Sequence, residues 1–595
     1  MTRISVTGPK KYLEDVIDTF YDLGILDIDS YEGELEKGDP LEGAEELSQL
    51  LVDARSLLSK LPDTEETGSA SIEEVQERIP EVSEDVDRLI AKKEGRKREL
   101  STLKEEEKFY RRLQSTGLRY EDLKGTEKLG VFIGKVDREE LSKAERYEII
   151  EGESASAVVY EKDSDAEDAL LEARKTEYSL PDRERKGRVE DILDDIQKER
   201  NEIQEKVEDT ERKLQKLADE WRPKVEDVEN YLAERVEKAE APLDFATTDS
   251  AFIAQGWIPS KDYDRFEEQV ADVTDGKVHI EREEGDNPPV KHENPAIVQP
   301  FEPLTDLVSV PRYNELDPSF MIFLTFPLFF GFMIGDAGYG LTTLAVFYLG
   351  YRMFPQAKDI FVSLMYASVF TILFGLAFGD AFGFMIFGEH SKLAQVTGIH
   401  LFSEIPVLFH RAEHLGKVFK VSALMGLVHV NMGYLLGAYN EYVRHGLKEA
   451  FLEKGSWMLL EAGAGLWYFL GAAAGAPVMA ISLVTLYLGE GIEGLVEIPS
   501  LLSNILSYLR IFGVAVAAVS LAAVVDSLAL PLFRGGVLGI VLGTLVLVIG
   551  HVFNTFIKII EGFLQGIRLH YVELFMKFFE GGGRRYEPFG SEIDT

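Results

Sequence analysis

The chain has 595 residues, no cysteine and a formal net charge of −40. That length exceeds one compact core and points to three or four modules. The missing cysteines exclude disulfide scaffolds, thiolate metal sites and a Cys nucleophile, and the acidity excludes a generic basic nucleic-acid binder.

The charge is unevenly spread. Residues 311–595 carry 17 Lys and Arg against 22 Asp and Glu, a net of −5, which leaves −35 for residues 1–310. The first half reads as a solvated polyelectrolyte and the second as mostly apolar.

In chain order, residues 3–31 read strand, helix, strand, with Ile4-Ser-Val-Thr alternating, an amphipathic stretch at 10–23 and Ile25-Leu-Asp-Ile-Asp alternating again. Helical spacing holds over 72–113, with Val82, Val86, Leu89, Leu100 and Leu103 on one face. Strands Gly130-Val-Phe-Ile-Gly and Ser156-Ala-Val-Val-Tyr mark a small lobe at 114–183. A second helix over 184–236 places Ile196, Ile203, Val207, Leu214, Leu217 and Trp221 on a heptad seam, with Thr210 at the missing step. A strand at 251–257, a helix and the strand Lys277-Val-His-Ile-Glu return to the first pattern.

The expected fold class is therefore α+β followed by all-α. Two small α/β lobes are joined by an antiparallel coiled coil of 72–113 against 184–236. The proximal lobe combines 1–71 with 245–285, the distal lobe is 114–183, and 286–318 is a proline-rich hinge. Residues 319–595 are expected to form a polytopic membrane domain.

Eight apolar stretches approach or exceed the roughly 17–25 residues that span a bilayer. They lie at 319–335, 337–353, 361–387, 418–440, 455–474, 477–490, 494–529 and 537–580. The N-terminus lacks the apolar run of a secretory signal, so the acidic half is expected in the cytoplasm, and an even number of spans returns the C-terminus to that side. Arg352, Lys358, Arg444, Lys448, Lys454, Lys577, Arg584 and Arg585 fall on the inner side, whereas Lys392, Arg411 and Lys417 fall outside. A 44-residue last helix would be about 66 Å long against a hydrocarbon layer of about 30 Å, which calls for steep tilt in the last two spans.

Ionisable residues at bilayer depth cost several kcal/mol and are functional candidates. On the seventh span Ser500, Ser503, Ser507, Arg510, Gly513, Ala517 and Ser520 share one face, all small except Arg510. Small residues let another helix approach closely and offer no knobs, so a partner can slide past. The plainer alternative is static packing, with Arg510 paired to a carboxylate. On the eighth span His551, Asn554, Lys558, Glu561, Gln565 and Arg568 share another face. They line a wet path, or else Lys558, Glu561 and Arg568 neutralise one another. Glu461, Glu490, Glu493 and Glu497 are further acids near membrane depth, and Asp336 reads equally as a helix cap. His410-Arg-Ala-Glu-His414 matches a zinc pattern literally but has no distinctive third ligand, and no phosphate-cradling loop is present.

Four segments together resemble the membrane-embedded stator subunit of rotary A/V-type ATPases, in its archaeal form. They are Pro288-Pro-Val-Lys with Pro300-Phe-Glu; Phe330-Gly-Phe-Met-Ile-Gly-Asp-Ala-Gly-Tyr-Gly; Ser503-Asn-Ile-Leu-Ser-Tyr-Leu-Arg; and Gly566-Ile-Arg-Leu-His-Tyr-Val-Glu with Gly583-Arg-Arg-Tyr-Glu-Pro-Phe. The resemblance implies that Arg510 faces the carboxylates of a rotor ring and that Arg568 is its companion. It also implies that protons or Na⁺ pass through two half-channels and that ATP chemistry lies on other chains. Expected partners are the ring, peripheral stalk subunits at the cytoplasmic lobes, the catalytic head indirectly, and lipid; no nucleic acid, cofactor or metal is called for. Lys558 stands where eukaryotic relatives carry an acid, and Ala518 where they carry a histidine. Glu561 and Glu497 are therefore the candidate relays, followed by Gln565, Asn554, His551, Lys558, Ser503 and Ser507. A self-contained secondary transporter is the alternative, and it should show internal repeats, which are not found.

Overall fold

The computed structural model describes residues 1–64, 66–389 and 391–590. The N-terminus supplies β1 (Thr2–Pro9), α1 (Leu13–Leu23) and β2 (Asp27–Asp29), followed by α2 (Ala44–Lys60) and α3 (Ile72–Arg112). A second lobe contains β3 (Leu129–Val136), β4 (Tyr147–Glu151), β5 (Ser156–Glu161), α4 (Asp165–Ala173) and β6 (Arg174–Glu177). Then α5 (Val189–Glu240) returns to β7 (Ala246–Thr247), β8 (Ala251–Ile258), α6 (Tyr263–Val273) and β9 (His279–Glu283).

The proximal sheet has the order β2-β8-β1-β9, with β7 on β8, so two strand–helix–strand units interleave. Alternation in β1 turns Ile4 and Val6 inward, where they meet Val16, Ile17 and Phe20 of α1 and Phe266 and Val270 of α6. Phe20 and Phe266 stack with ring centroids 5.3 Å apart. The distal sheet has the order β4-β5-β3-β6.

Between the lobes, Val82 and Val86 share a core with Leu214, Trp221 and Val228, whereas Leu103 and Phe109 share one with Val189, Ile196 and Ile203. Rising numbers on α3 meet falling numbers on α5, so the two helices run antiparallel. Thr210 fills its seam position by accepting a hydrogen bond from Arg96. Helix α2, which periodicity alone did not reveal, adds Leu50, Leu51, Ala54 and Leu57 to the same core.

The apolar half contains α7 (Ser319–Ile334), α8 (Ala337–Met353), α9 (Lys358–Phe378), the hairpin β10–β11 (Asp380–Ala381, Phe384–Met385) and α10 (Leu415–His445). It continues with α11 (Ser456–Leu470), α12 (Ala472–Ser507), α13 (Leu509–Ala529) and α14 (Gly536–Arg568). A π-helical turn over Leu569–Leu574 and a tight turn over Phe575–Lys577 extend the last helix. Among the described residues four helical stretches are long and apolar enough to cross a membrane: Pro355–Phe378, Leu415–His445, Ala472–Arg534 and Gly536–Lys577. Ser319–Ile334 is a shorter apolar helix.

Several boundaries differ from those expected. The stretch 361–387 ends as helix at Phe378, because Gly379 adopts φ +75° and the chain turns into the β10–β11 hairpin. Segments 477–490 and 494–529 are two helices that meet at the non-helical Gly491 (φ 69°, ψ −146°), and the second of them is interrupted at Tyr508. The last rod is 42 residues long rather than 44.

Two devices join the halves. After the last helix the chain runs back to the proximal lobe: Tyr586 donates to the Ile25 carbonyl (2.5 Å), the Phe589 amide to Leu26 (2.8 Å), and Arg584 pairs with Asp27 and Asp29. In the hinge, His292 bonds Asp317 (2.6 Å) and Asp306 (3.2 Å). Those two carboxylates push the imidazole up to about 10. Burial alone would raise Asp317, but hydrogen bonds from His292, Ser319 and Asn294 outweigh it and hold the carboxyl at about 2.

Candidate functional site

The face of α12 and α13 that carries Arg510 is open. Ser503, Gly513, Ala517 and Ser520 are exposed, and a Cβ added to Gly513 would meet nothing within 4 Å. Ser507 returns its hydroxyl to the Ser503 carbonyl (3.0 Å), the usual satisfaction of a helical serine facing an apolar surrounding. Arg510 is 23% exposed within this smooth strip.

Its nearest acid in the chain is Glu573, with Nη1 to Oε1 at 3.8 Å. That separation is an ion pair without a hydrogen bond, well beyond the roughly 2.7–2.9 Å of a charge-assisted contact. Nη1 of Arg510 and Oε2 of Glu573 are buried atoms without a hydrogen-bond partner. Glu573 is carried by the π-helical turn that follows α14 and is itself buried. Arg568, exposed, acts electrostatically on both Arg510 and Glu573. At their formal charges the three residues therefore leave one net positive charge beside the open strip.

Behind it lies a buried network that fixes its own protons. Tyr508 Oη is 2.6 Å from His429 Nδ1, His429 Nε2 is 3.1 Å from Thr325 Oγ1, Thr325 Oγ1 is 2.7 Å from His570 Nε2, and His570 Nδ1 is 2.7 Å from the Gly566 carbonyl. A carbonyl only accepts, so His570 carries its hydrogen on Nδ1. With one N–H per ring, Thr325 then donates to His570, His429 Nε2 donates to Thr325, and Tyr508 donates to His429. The threonine hydrogen is shared with the Met321 carbonyl (2.7 Å). The chain of bonds ties α7, α10, the Tyr508 interruption and the end of α14 together, two residues from Arg510 and three from Glu573.

The polar stripe of α14 divides in two. His551, Asn554 and Lys558 turn inward against the start of α8. Tyr339 Oη lies 2.6 Å from both His551 Nδ1 and Asn554 Nδ2, and Lys558 Nζ sits 3.4 Å above the tyrosine ring. Asp336 caps α8 through the Tyr339 amide (3.0 Å) and also accepts from the amides of Phe382 (2.8 Å) and Gly383 (2.9 Å). Arg411, 1% exposed, donates to the Ile334 (2.9 Å) and Gly335 (2.6 Å) carbonyls and approaches Asp380 at 3.4 Å. Glu561 and Gln565 are half-buried further along, and Gln565 Oε1 has no hydrogen-bond partner. Mutual pairing of Lys558, Glu561 and Arg568 does not occur among the described residues; Lys558 is held by Tyr339 instead. Glu497 is exposed and acts electrostatically on Lys577, together with Glu490.

A family model described as "V-type ATPase 116kDa subunit family" matches residues 170–388 and 491–591. The chain belongs to that family. Among curated proteins it is similar to A-type ATP synthase subunit I of Halobacterium salinarum, 30% identical with 99% of this chain and 98% of that one covered. It is 31% identical to the same subunit of Archaeoglobus fulgidus, again with 99% and 98% covered. Among solved structures, a crystal structure of the cytoplasmic N-terminal domain of subunit I, homolog of subunit a, of V-ATPase matches 48% of this chain and all of its own. The sequence identity there is 16% and the TM-score 0.28. As a member of this family the chain is the non-catalytic membrane stator subunit of a rotary ion-translocating complex.

Within this family member, Arg510, Arg568, Ser503 and Ser507 come together on one open flank. Sequence reasoning missed Glu573 as the partner of Arg510, as well as Tyr508, His429, Thr325, Tyr339 and Asp526. A lone His429 or Asp526 inside an otherwise apolar run was the available signal, and Glu573 stood in a motif already singled out.

Proposed function

We propose that ions pass between the two sides of the membrane along the flank carrying Arg510, in two half-channels that meet a ring of carboxylate-bearing subunits there. The observation that carries this is the single net positive charge of Arg510, Arg568 and Glu573 beside a strip of exposed small residues. One own-chain acid offsets one arginine, which leaves the other for a carboxylate brought by a partner. A nearby cation favours the ionised form of that carboxylate, so an arriving protonated acid releases its proton there. Arginine stays charged in any surrounding and blocks direct leakage.

In this reading residues 1–285 form a cytoplasmic arm whose lobes meet peripheral stalks, 286–318 are a hinge, and 319–595 are the membrane base. The base crosses the bilayer eight times with both termini inside, and the last two helices tilt steeply. Glu561 and Gln565, half-buried between the arginines and the inward cluster, serve one half-channel; Glu497 serves the other.

The test is Arg510→Lys in the assembled complex. The complex should assemble, lose ion-coupled turnover, and keep near-normal ATP hydrolysis once the catalytic head is detached. Wild-type coupled transport by that variant would refute the role of Arg510.

A further inference from the structure

The outer end of the same two helices holds a second ionisable pair. Asp526 is sixteen residues beyond Arg510, about 24 Å along a helix at roughly 1.5 Å per residue. It stands close to the turn that joins α13 to α14. His551 faces it from α14, Nε2 to Oδ1 at 3.3 Å. Asp526 is buried and its Oδ1 has no hydrogen-bond partner; Asn554, wholly buried, also has an unpartnered Oδ1. Two buried acceptors left unpartnered on facing helices, Asp526 on α13 and Asn554 on α14, are the mark of groups that exchange a proton or water rather than pack statically.

The bonding gives the pair a direction. Asn554 donates to Tyr339 Oη, so the tyrosine's own hydrogen has His551 Nδ1 as acceptor. His551 then carries its hydrogen on Nε2, the nitrogen that lies 3.3 Å from Asp526 Oδ1. The hairpin between α9 and α10 closes over the carboxylate, since a Cβ on Gly383 (φ +82°) would lie 3.2 Å from Asp526 Oδ2. His551 keeps 16% of its side chain accessible, so the pair is sheltered without being sealed. The other charged groups facing this region are Asp336 from the start of α8, Asp380 from the hairpin, Lys392 and Arg411 from the segment that follows it, and Lys558 from α14.

We infer that Asp526 and His551 form the outer port of the proton path, connected through the Tyr339 hydroxyl, which Asn554 holds in place, to the α14 stripe that leads to Arg568. This rests on the reading of Arg510 above. For outward movement Tyr339 passes its hydroxyl proton to His551 Nδ1 and takes one from water on the stripe side, the ring releases the Nε2 hydrogen to the Asp526 carboxylate, and Asp526 passes it to outer water. One proton enters at the tyrosine and one leaves at the carboxylate, and the ring, left with its hydrogen on Nδ1, regains the Nε2–H form by giving up one proton to water and taking one from it through its accessible edge. Inward movement runs the same steps backwards.

The experiment compares Asp526→Asn, Asp526→Glu, Tyr339→Phe and Arg510→Lys in whole complexes reconstituted into vesicles. Proton pumping and head ATPase are read while the pH on the outer side is varied. Asp526→Asn should slow pumping at least about tenfold and alter its dependence on outer pH, with ATP hydrolysis by the detached head unchanged and Asp526→Glu restoring most of the rate. Tyr339→Phe should slow pumping several-fold without altering assembly. Wild-type pumping with an unaltered outer-pH profile in Asp526→Asn overturns the port while Arg510→Lys stays inactive; if Arg510→Lys also pumps, the underlying reading falls instead. If Asp526→Asn does not assemble, Tyr339→Phe decides, and a wild-type rate there overturns the proposal.

Discussion

The arm and the base use charge in opposite ways. In the arm, pairs such as Arg98–Glu94 and Lys198–Asp195 stand largely in water, more than 60% exposed on both sides. Solvent screens them, and each is worth about 0–1 kcal/mol. In the base, Arg411 and Asp380 are almost completely enclosed, and Arg510 meets Glu573 from a distant stretch of chain. Removing one member there leaves an uncompensated buried charge. An acidic, pair-rich surface keeps the arm soluble, whereas a few enclosed charges decide both the folding and the operation of the base.

The sharpest way to break that contrast is Arg411→Ala. It strands Asp380 and three backbone carbonyls, and should cost about 3–5 kcal/mol, seen as loss of the intact subunit from detergent-purified membranes. Recovery at wild-type yield would show that the clamp is dispensable.

Thr325→Val is next. It removes the hydroxyl shared by His429 and His570 and should cost about 1–3 kcal/mol in thermal unfolding of the subunit. Coupled turnover should fall with it, because the network backs Arg510 and Glu573.

The hinge gives a pH-dependent intermediate case. The folded value of His292 lies above its ordinary 6.5, so its stabilisation is complete below about 6.5 and is lost as pH rises toward about 10. Asp317 contributes in the opposite sense: its share is present above about 4 and is lost as pH falls through about 2. Proteolysis of the 286–318 segment should therefore accelerate between pH 6.5 and 10, and His292→Phe should abolish that dependence.

At the small end, Arg98→Ala in the arm should change unfolding by no more than about 0.5 kcal/mol. A loss of 2 kcal/mol there would erase the distinction between the two regions.

Legibility followed the range of the interactions. The interleaved strand–helix–strand lobe, the heptad seam through Trp221 and the strip around Arg510 all repeat at short spacing, and short spacing is visible in a linear chain. Helix α2 was not, because its apolar positions gain meaning only against α5. The stripe on α14 was read as one surface, but Tyr339, more than two hundred residues earlier, draws half of it inward. Glu573 faces Arg510 from the π-helical turn after Arg568, on a different helix, a pairing that no short spacing in the chain announces.

By itself the sequence determined which residues are apolar and where charge interrupts them, since burial of periodic apolar faces is a local property of helix and strand. It therefore specified an acidic arm, an apolar base and an arginine that lipid alone would not tolerate. Which acid answers which cation was decided only by tertiary structure. Electrostatic and hydrogen-bond partners are selected by distance in space, and in this chain His551 with Tyr339, and Arg510 with Glu573, come from separate helices.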